Sequence, residues 1–526
     1  MPCDLKAFFL TVFSFLSCLR WTCILQSSQR GSRFHSSRRE RYGNVFKTHL
    51  LGRPVVRVTG AENVRKILLG EHTLVSAQWP QSAQIILGSH TLLGSIGDLH
   101  RQRRKVMFSH AALESYLPRI QKVVSWELRG WCMEPGSIAV YSSAKTLTFR
   151  IAARILLGLR LEEKQFKDLA KTFDQMVENL FSLPLNIPFS GLRKGIKARD
   201  MLHKYMEKAI QEKLQKSNSE DHSDALDFII NSAKEHGKEF TMQELKESAI
   251  ELIFAAFLTT ASASTSLILL LLKHPSAIEK IRQELASHEL HRQCQCCLSR
   301  LRYLDCVIKE VLRLLPPVSG GYRTALQTFE LDGCQIPKGW SVMYSIRDTH
   351  ETAAIYQSPP GGFDPDRFGA ARPEATGRFH YIPFGGGARS CIGKALAQAI
   401  LKLLAIELVS TARWELATPA YPAMQTVPIV HPVDGLQLYF RPLHALPPAP
   451  VPLSGCRGLL HALPHSPPSK TPKVFYFPPP PSLCLQRPPL STGSRRPQPW
   501  GKDGAKANGA AAAGAQPAAA PQSSLR

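Results

Sequence analysis

Apolar side chains recur at helical spacing along most of the chain. The segment opening Gly60-Ala61-Glu62-Asn63-Val64, the stretch from about 161 to 180 and residues 198–215 each place them on one face, and each predicts a helix. Two short runs break this pattern. VFKTHLL and PVVRVTG are separated by Gly52-Arg53 and predict a hairpin, and strand-like alternation returns near 322–346. The overall expectation is a fold that is mainly α with a small β part.

The run Leu252–Leu272 contains 21 residues without a charge, long enough on its face to cross a membrane. Thr241 with Glu244 three residues later is a capping box, so the helix starts well before the apolar run. The centre is rich in small and hydroxylated residues, and Lys273-His274-Pro275 is an ordinary stop. A helix of about 33 residues spans ~50 Å. It is expected to cross the core of a large domain rather than a bilayer. Residues 7–25 are mostly apolar, with Arg20 as the only charge, and read as a marginal membrane anchor, with a secretory signal as the competing reading. Beyond 445 the chain holds 18 of the 39 prolines and then an Ala/Gly/Pro run, a composition that cannot offset chain entropy by burial. The organisation expected is therefore an atypical N-terminal segment over 1–30, one catalytic domain over 31–444, and a disordered tail over 445–526.

Charge refines this only slightly. Of the formal net charge of +24, residues 445–526 carry +8 and residues 1–41 carry +5. The remaining body is moderately basic, which suits an acidic protein partner or an anionic membrane surface. No zinc finger, RNA-binding sheet motif or arginine-rich helix supports nucleic-acid binding. The 12 cysteines are scattered and do not form a disulfide framework. Cys294, Cys296 and Cys297 lack the paired spacing of a zinc site and read as a surface loop.

The chemistry concentrates in Phe384-Gly385-Gly386-Gly387-Ala388-Arg389-Ser390-Cys391-Ile392-Gly393, followed by the apolar helix KALAQAILKLLAIELV. Cys391 stands at or just before a helix N-terminus, where unpaired N–H groups and the helix dipole stabilise a thiolate. Glycines allow close backbone approach to a flat cofactor, and Arg389 can pair with a carboxylate. A phosphate cradle is excluded because no Lys-Ser/Thr pair follows. In LDCVIKEVLRLLPP, Glu310 and Arg313 share a helix face and have strongly apolar neighbours, which suggests a buried pair.

These strings resemble the cytochrome P-450 family. F-x-x-G-x-R-x-C-x-G, headed by Phe384, matches its haem-binding signature, which implies a P-450 fold with haem b between the long central helix and the cysteine loop. Cys391 would be the axial ligand of the iron, pushing electron density that favours O–O cleavage. Glu310 and Arg313 resemble the family's E-x-x-R pair. Phe363-Asp364-Pro365-Asp366-Arg367-Phe368 resembles its P-E-R-F element, so Arg367 would complete a structural network. Ala255-Ala256-Phe257-Leu258-Thr259-Thr260 resembles the oxygen-binding groove, with Thr259 as the proton-delivering hydroxyl and Leu258 where the family carries an acid. Arg323, Arg389, His100 and Arg104 would meet the haem propionates.

Longer stretches, among them GAENVRKILLGEHTLVSAQWPQSA and MQELKESAIELIFAAFLTTASAST, resemble the vertebrate retinoic-acid hydroxylases, family twenty-six, subfamily C. The resemblance implies a monooxygenase of the endoplasmic reticulum membrane, with its catalytic domain in the cytosol. It would hydroxylate all-trans-retinoic acid, chiefly at C4, with dioxygen and electrons from NADPH through a cytochrome reductase. It implies a pocket lined by Trp79, Phe189, Phe254, Thr259 and Val318, with Arg53 or Arg57 toward the retinoid carboxylate. Membrane lipid would be a further partner. Leu258 motivates a rival reading as a non-catalytic haem or retinoid binder; a haem-thiolate isomerase is a second.

Overall fold

The computed structural model describes residues 32–50, 53–98, 100–101, 110–215, 224–235, 240–288, 298–370, 372, 377–426 and 428–443. The described residues fall within one unit, residues 1–450. The expected anchor segment 7–25, the cysteine cluster at 294–297 and the tail from 445 lie outside the described residues.

The central element is the helix Met242–Lys273. Its start is the predicted capping box: Thr241 Oγ1 accepts from the Glu244 amide at 3.2 Å, and Glu244 Oε2 accepts from the Thr241 amide at 3.0 Å. It stops at His274, whose ring stacks on Phe363 at 4.6 Å, and the next helix opens with Pro275. Among the described residues it alone is long and apolar enough to cross a membrane, yet 72% of its most apolar window is buried inside the protein. It is hydrophobic nearly all round because it is packed nearly all round. Helices Val140–Ile151, Gly191–Gln215, Arg302–Leu314 and Lys394–Thr411 surround it.

The largest sheet has five strands, with spatial order Val45–Leu50, Arg53–Val58, Ser341–Ser345, Gly320–Ala325 and Val75–Ala77. The predicted hairpin is its edge, with Val45 opposite Val58 and Leu50 opposite Arg53. Arg53–Val58 runs parallel to Ser341–Ser345, and the other pairings are antiparallel. A smaller apolar cluster, including Val56, Val58, Ile67, Val342 and Ile382, fills the space between this sheet and the helix Ala61–Leu69. Phe329–Leu331 and Cys334–Ile336 form a separate hairpin turned by Asp332 and Gly333, both at positive φ as a tight two-residue turn requires.

The sheet and the helices converge on the loop 384–393. A single 3-10 turn, Gly387–Arg389, precedes Cys391, and the helix Lys394–Thr411 begins just after Gly393. Gly387 sits at φ +64° against the end of the helix Ala61–Leu69, and a Cβ there would overlap the Leu68 carbonyl. Small size and left-handed backbone are both needed at this point.

Candidate active site

Cys391 lies where its loop enters the helix Lys394–Thr411. Its amide donates to the Phe384 carbonyl at 2.9 Å, closing the loop as a ring. The thiol is exposed and carries no disulfide, while most of the helix behind it is sunk in the core. On the central helix, Ala255 is exposed although Leu252, Ile253, Phe257 and Thr260 are all buried. Ala256, Leu258 and Thr259 beside it are half-buried. This helix therefore presents one open face built from small residues in the middle of an otherwise packed length. Thr259 Oγ1 donates back to the Ala255 carbonyl at 2.7 Å, which leaves its oxygen lone pairs available on that face. Trp79 and Phe254 come together edge to face, with ring centroids 6.5 Å apart.

The expected propionate cations share a partner that the sequence did not reveal. Arg389 Nε donates to Glu71 Oε1 at 2.6 Å, and Arg323 Nε donates to Glu71 Oε2 at 2.7 Å. The Glu71 side chain is 1% exposed. Arg389 Nη2 also donates to the Ser95 carbonyl at 2.5 Å, and Arg323 Nη1 to the Tyr322 carbonyl at 2.8 Å. One carboxylate thus holds two guanidiniums side by side and leaves the group cationic.

His72 stands beside this group at φ 72°. Its Nδ1 accepts from the Gly97 amide at 3.1 Å, so in the neutral ring the proton is on Nε2. Nε2 is buried with no partner among the described residues. Burial lowers the pKa of His72 and favours this neutral form. The ring of His100, 2% exposed, lies 5.3 Å away. An orphan buried N–H next to a cationic cluster is a donor set for a carboxylate, and it fits the propionates of a haem whose iron faces Cys391. Arg104 lies outside the described residues.

Glu310, Arg313 and Arg367 come together in one buried network that takes in further groups. Glu310 receives Arg313 through two bonds, at 2.7 and 2.8 Å, and Arg367 at 3.4 Å; all three side chains are fully buried. Arg313 also donates to the carbonyls of Pro360 and Gly362, and Arg367 to those of Ser358 and Pro359. Asp364 contributes its amide to Glu310 at 3.0 Å. His350 joins this network to the cysteine loop. It meets the Arg313 carbonyl through Nδ1 at 3.1 Å and accepts the Ile382 amide at Nε2 at 2.8 Å.

The expected carboxylate anchors and two of the expected pocket residues are placed as follows. Arg57 is buried, and its Nη2 donates to Asp348 at 2.7 Å and to Ser345 Oγ at 3.3 Å. Burial would raise the Asp348 carboxyl, but the adjacent guanidinium outweighs it and the pKa is lowered. Arg53 is exposed at the start of its strand. Phe189 is 91% exposed at φ 67°, at the end of an exposed apolar stretch that includes Phe181, Leu183, Leu185 and Ile187; with its ring in solvent it forms no pocket wall as placed here. Val318, after Pro317, is 37% exposed.

The family model for Cytochrome P450 matches residues 16–438. The chain is 68% identical over 444 residues to human Cytochrome P450 26C1, covering 79% of this chain and 85% of that protein. It is 62% identical over 423 residues to Cytochrome P450 26B1 of Xenopus tropicalis, covering 78% and 83%. Among solved structures, the retinoic acid bound cyanobacterial CYP120A1 superposes with a TM-score of 0.74 at 33% identity, covering 80% of this chain and 96% of that one. A family match over residues 16–438 and identities above 60% across more than three quarters of the chain place it in the cytochrome P450 family of haem-dependent monooxygenases, within its 26 group.

Proposed function

We propose that this protein hydroxylates all-trans-retinoic acid, chiefly at C4 of its ring, with haem b as the resident cofactor and Cys391 as the iron's axial ligand. The overall change joins substrate, dioxygen, two electrons and two protons, and gives alcohol and water. Haem, when bound, supplies the activation of dioxygen; a thiolate ligand favours O–O cleavage. The observation that carries the reading is the exposed Cys391 thiol at the end of a closed glycine ring, beside a cationic cluster with a buried orphan donor.

The chain's own residues do the rest. Arg389, Arg323, His72 and His100 would hold the propionate edge. Trp79 and Phe254 offer an apolar, aromatic wall suited to a polyene. Thr259 positions a proton on the open face of the central helix. With leucine at 258, that proton reaches it through solvent rather than from the neighbouring side chain. The retinoid carried by the cyanobacterial relative supports this substrate class. The exposed apolar residues between Phe181 and Phe189 support work at a membrane surface, and we place the enzyme at the endoplasmic reticulum with an NADPH–cytochrome reductase as electron donor.

Two measurements on the reductase-coupled protein test the reading. The reduced protein with carbon monoxide should show the red-shifted Soret band of a thiolate haem, and Cys391→Ser should lose it. Retinoic acid should be hydroxylated only when NADPH and reductase are present. A surviving band in Cys391→Ser refutes the ligand, and NADPH-independent turnover favours an isomerase instead.

A further inference from the structure

Between the helix Gln81–Leu87 and His100 the chain runs without strand pairing, yet its backbone is tied down by buried side chains. Glu251 of the central helix takes two successive amides, Leu92 N–H on Oε2 and Leu93 N–H on Oε1, both at 2.7 Å. One turn earlier, Glu247 Oε2 takes His90 N–H at 2.7 Å, and Gln243 steadies its other oxygen at 2.7 Å. Gly88, at φ +94°, lets the chain pass against the Glu247 carboxyl, where a Cβ would overlap it. Both glutamates are about as buried as the core around them, at 4% and 5% exposed. The far end of the segment is held by other groups: Arg389 on the Ser95 carbonyl, and His72 Nδ1 on the Gly97 amide.

The placement of this clamp gives it a role. Glu251, Ala255 and Thr259 are spaced four residues apart and so lie along one side of the helix. At 1.5 Å per residue, the clamp sits about 6 Å from the exposed Ala255 and about 12 Å from Thr259. Leu92 and Leu93, whose amides it grips, pack their side chains on the main core cluster. A carboxylate that accepts two adjacent backbone donors in a buried setting fixes that peptide more rigidly than packing alone. The segment it fixes is thus anchored one helical turn from the open face.

We propose that Glu251, supported by Glu247, is a positioning residue that sets substrate affinity by holding residues 88–97 as a fixed wall beside the open face. The retinoid reading above enters only as the choice of probe. Gln at 251 keeps the shape but offers one acceptor oxygen where two amides need one each, so one N–H loses its partner.

The test uses the full-length, haem-loaded protein. In the wild type, the amides of Leu92 and Leu93 should exchange slowly with deuterated solvent although they belong to no helix or strand. In Glu251→Gln they should exchange at least about tenfold faster. The KM for retinoic acid and its spectral dissociation constant should rise about tenfold, with kcat falling less than KM rises, and the carbon monoxide band should keep its position. Tenfold corresponds to the loss of roughly one charge-assisted hydrogen bond, about 1.4 kcal/mol. Unprotected Leu92 and Leu93 amides in the wild type overturn the clamp without any variant, and so does a Glu251→Gln protein with unchanged exchange and unchanged KM. If the wild type ignores retinoic acid, the substrate reading falls while the exchange measurement still decides the clamp.

Discussion

His350 shows how much one side chain can tie together. Its Nε2 accepts the Ile382 amide, so that nitrogen cannot carry a proton without setting two N–H groups against each other. Burial lowers its pKa from 6.5 to about 3. The unfolded chain therefore binds a proton on this ring between those values and the folded chain does not, so the group's contribution is fully present above about pH 6.5 and is lost as pH falls toward 3. We expect the melting temperature of the wild type to drop between pH 7 and pH 4. His350→Phe should melt lower at pH 7, because it abandons the Ile382 amide, but should lose less on acidification. His35, lowered to about 4 mainly by burial, gives a slope of the same sign in both proteins, so their difference isolates His350. Parallel melting curves across that range would rule this account out. The Glu310–Arg313 pair was legible because the two residues face each other at i,i+3 on one apolar helix. His350, Glu71, His72 and Glu251 were not. Their key partners include backbone amides or carbonyls, which every residue carries, and no spacing in a sequence marks which ones will be met.

At the scale of elements, periodicity and caps placed the central helix and the cysteine helix, since both depend on local pattern. The helix expected over 198–215 in fact begins at Gly191. Gly191 and Gly195, at its start, serve packing. A Cβ at Gly195 would overlap the Ile86 side chain, so the glycine allows this helix to close on Gln81–Leu87. The glycine loop before Cys391 follows the same logic at higher cost. At Gly387 an added methyl meets the rigid Leu68 carbonyl, and φ +64° is strained for any L side chain. Gly387→Ala should therefore push the loop off the helix Ala61–Leu69 and misplace Cys391. The expected result is a folded protein with near-native far-ultraviolet dichroism and at least a severalfold loss of the thiolate band per mole. Full spectral haem content in that variant would show that the close approach is not required.

Across the whole molecule, the groups that would hold haem come from Glu71, His72, His100, Arg323, Arg389 and Cys391, spread over more than 300 positions of the chain. Neither the orphan Nε2 of His72 nor the shared glutamate makes sense for an isolated element, and each is a local cost accepted by the fold. An unfolded chain cannot reassemble such a set, so haem binds the native state almost exclusively and stabilises it by mass action. At a free haem concentration about a thousandfold above the dissociation constant, this is worth about 4 kcal/mol. Protein produced without haem should consequently melt several degrees lower than the loaded form in calorimetry, with the gap closing on reconstitution. Glu71→Gln, which leaves two buried guanidiniums without their shared carboxylate, should lower the melting temperature of the haem-free protein more than that of the loaded form, where propionates would offset the lost charge. Equal melting of loaded and haem-free protein would mean that the cluster is built for the fold alone, and the propionate assignment would lose its physical basis.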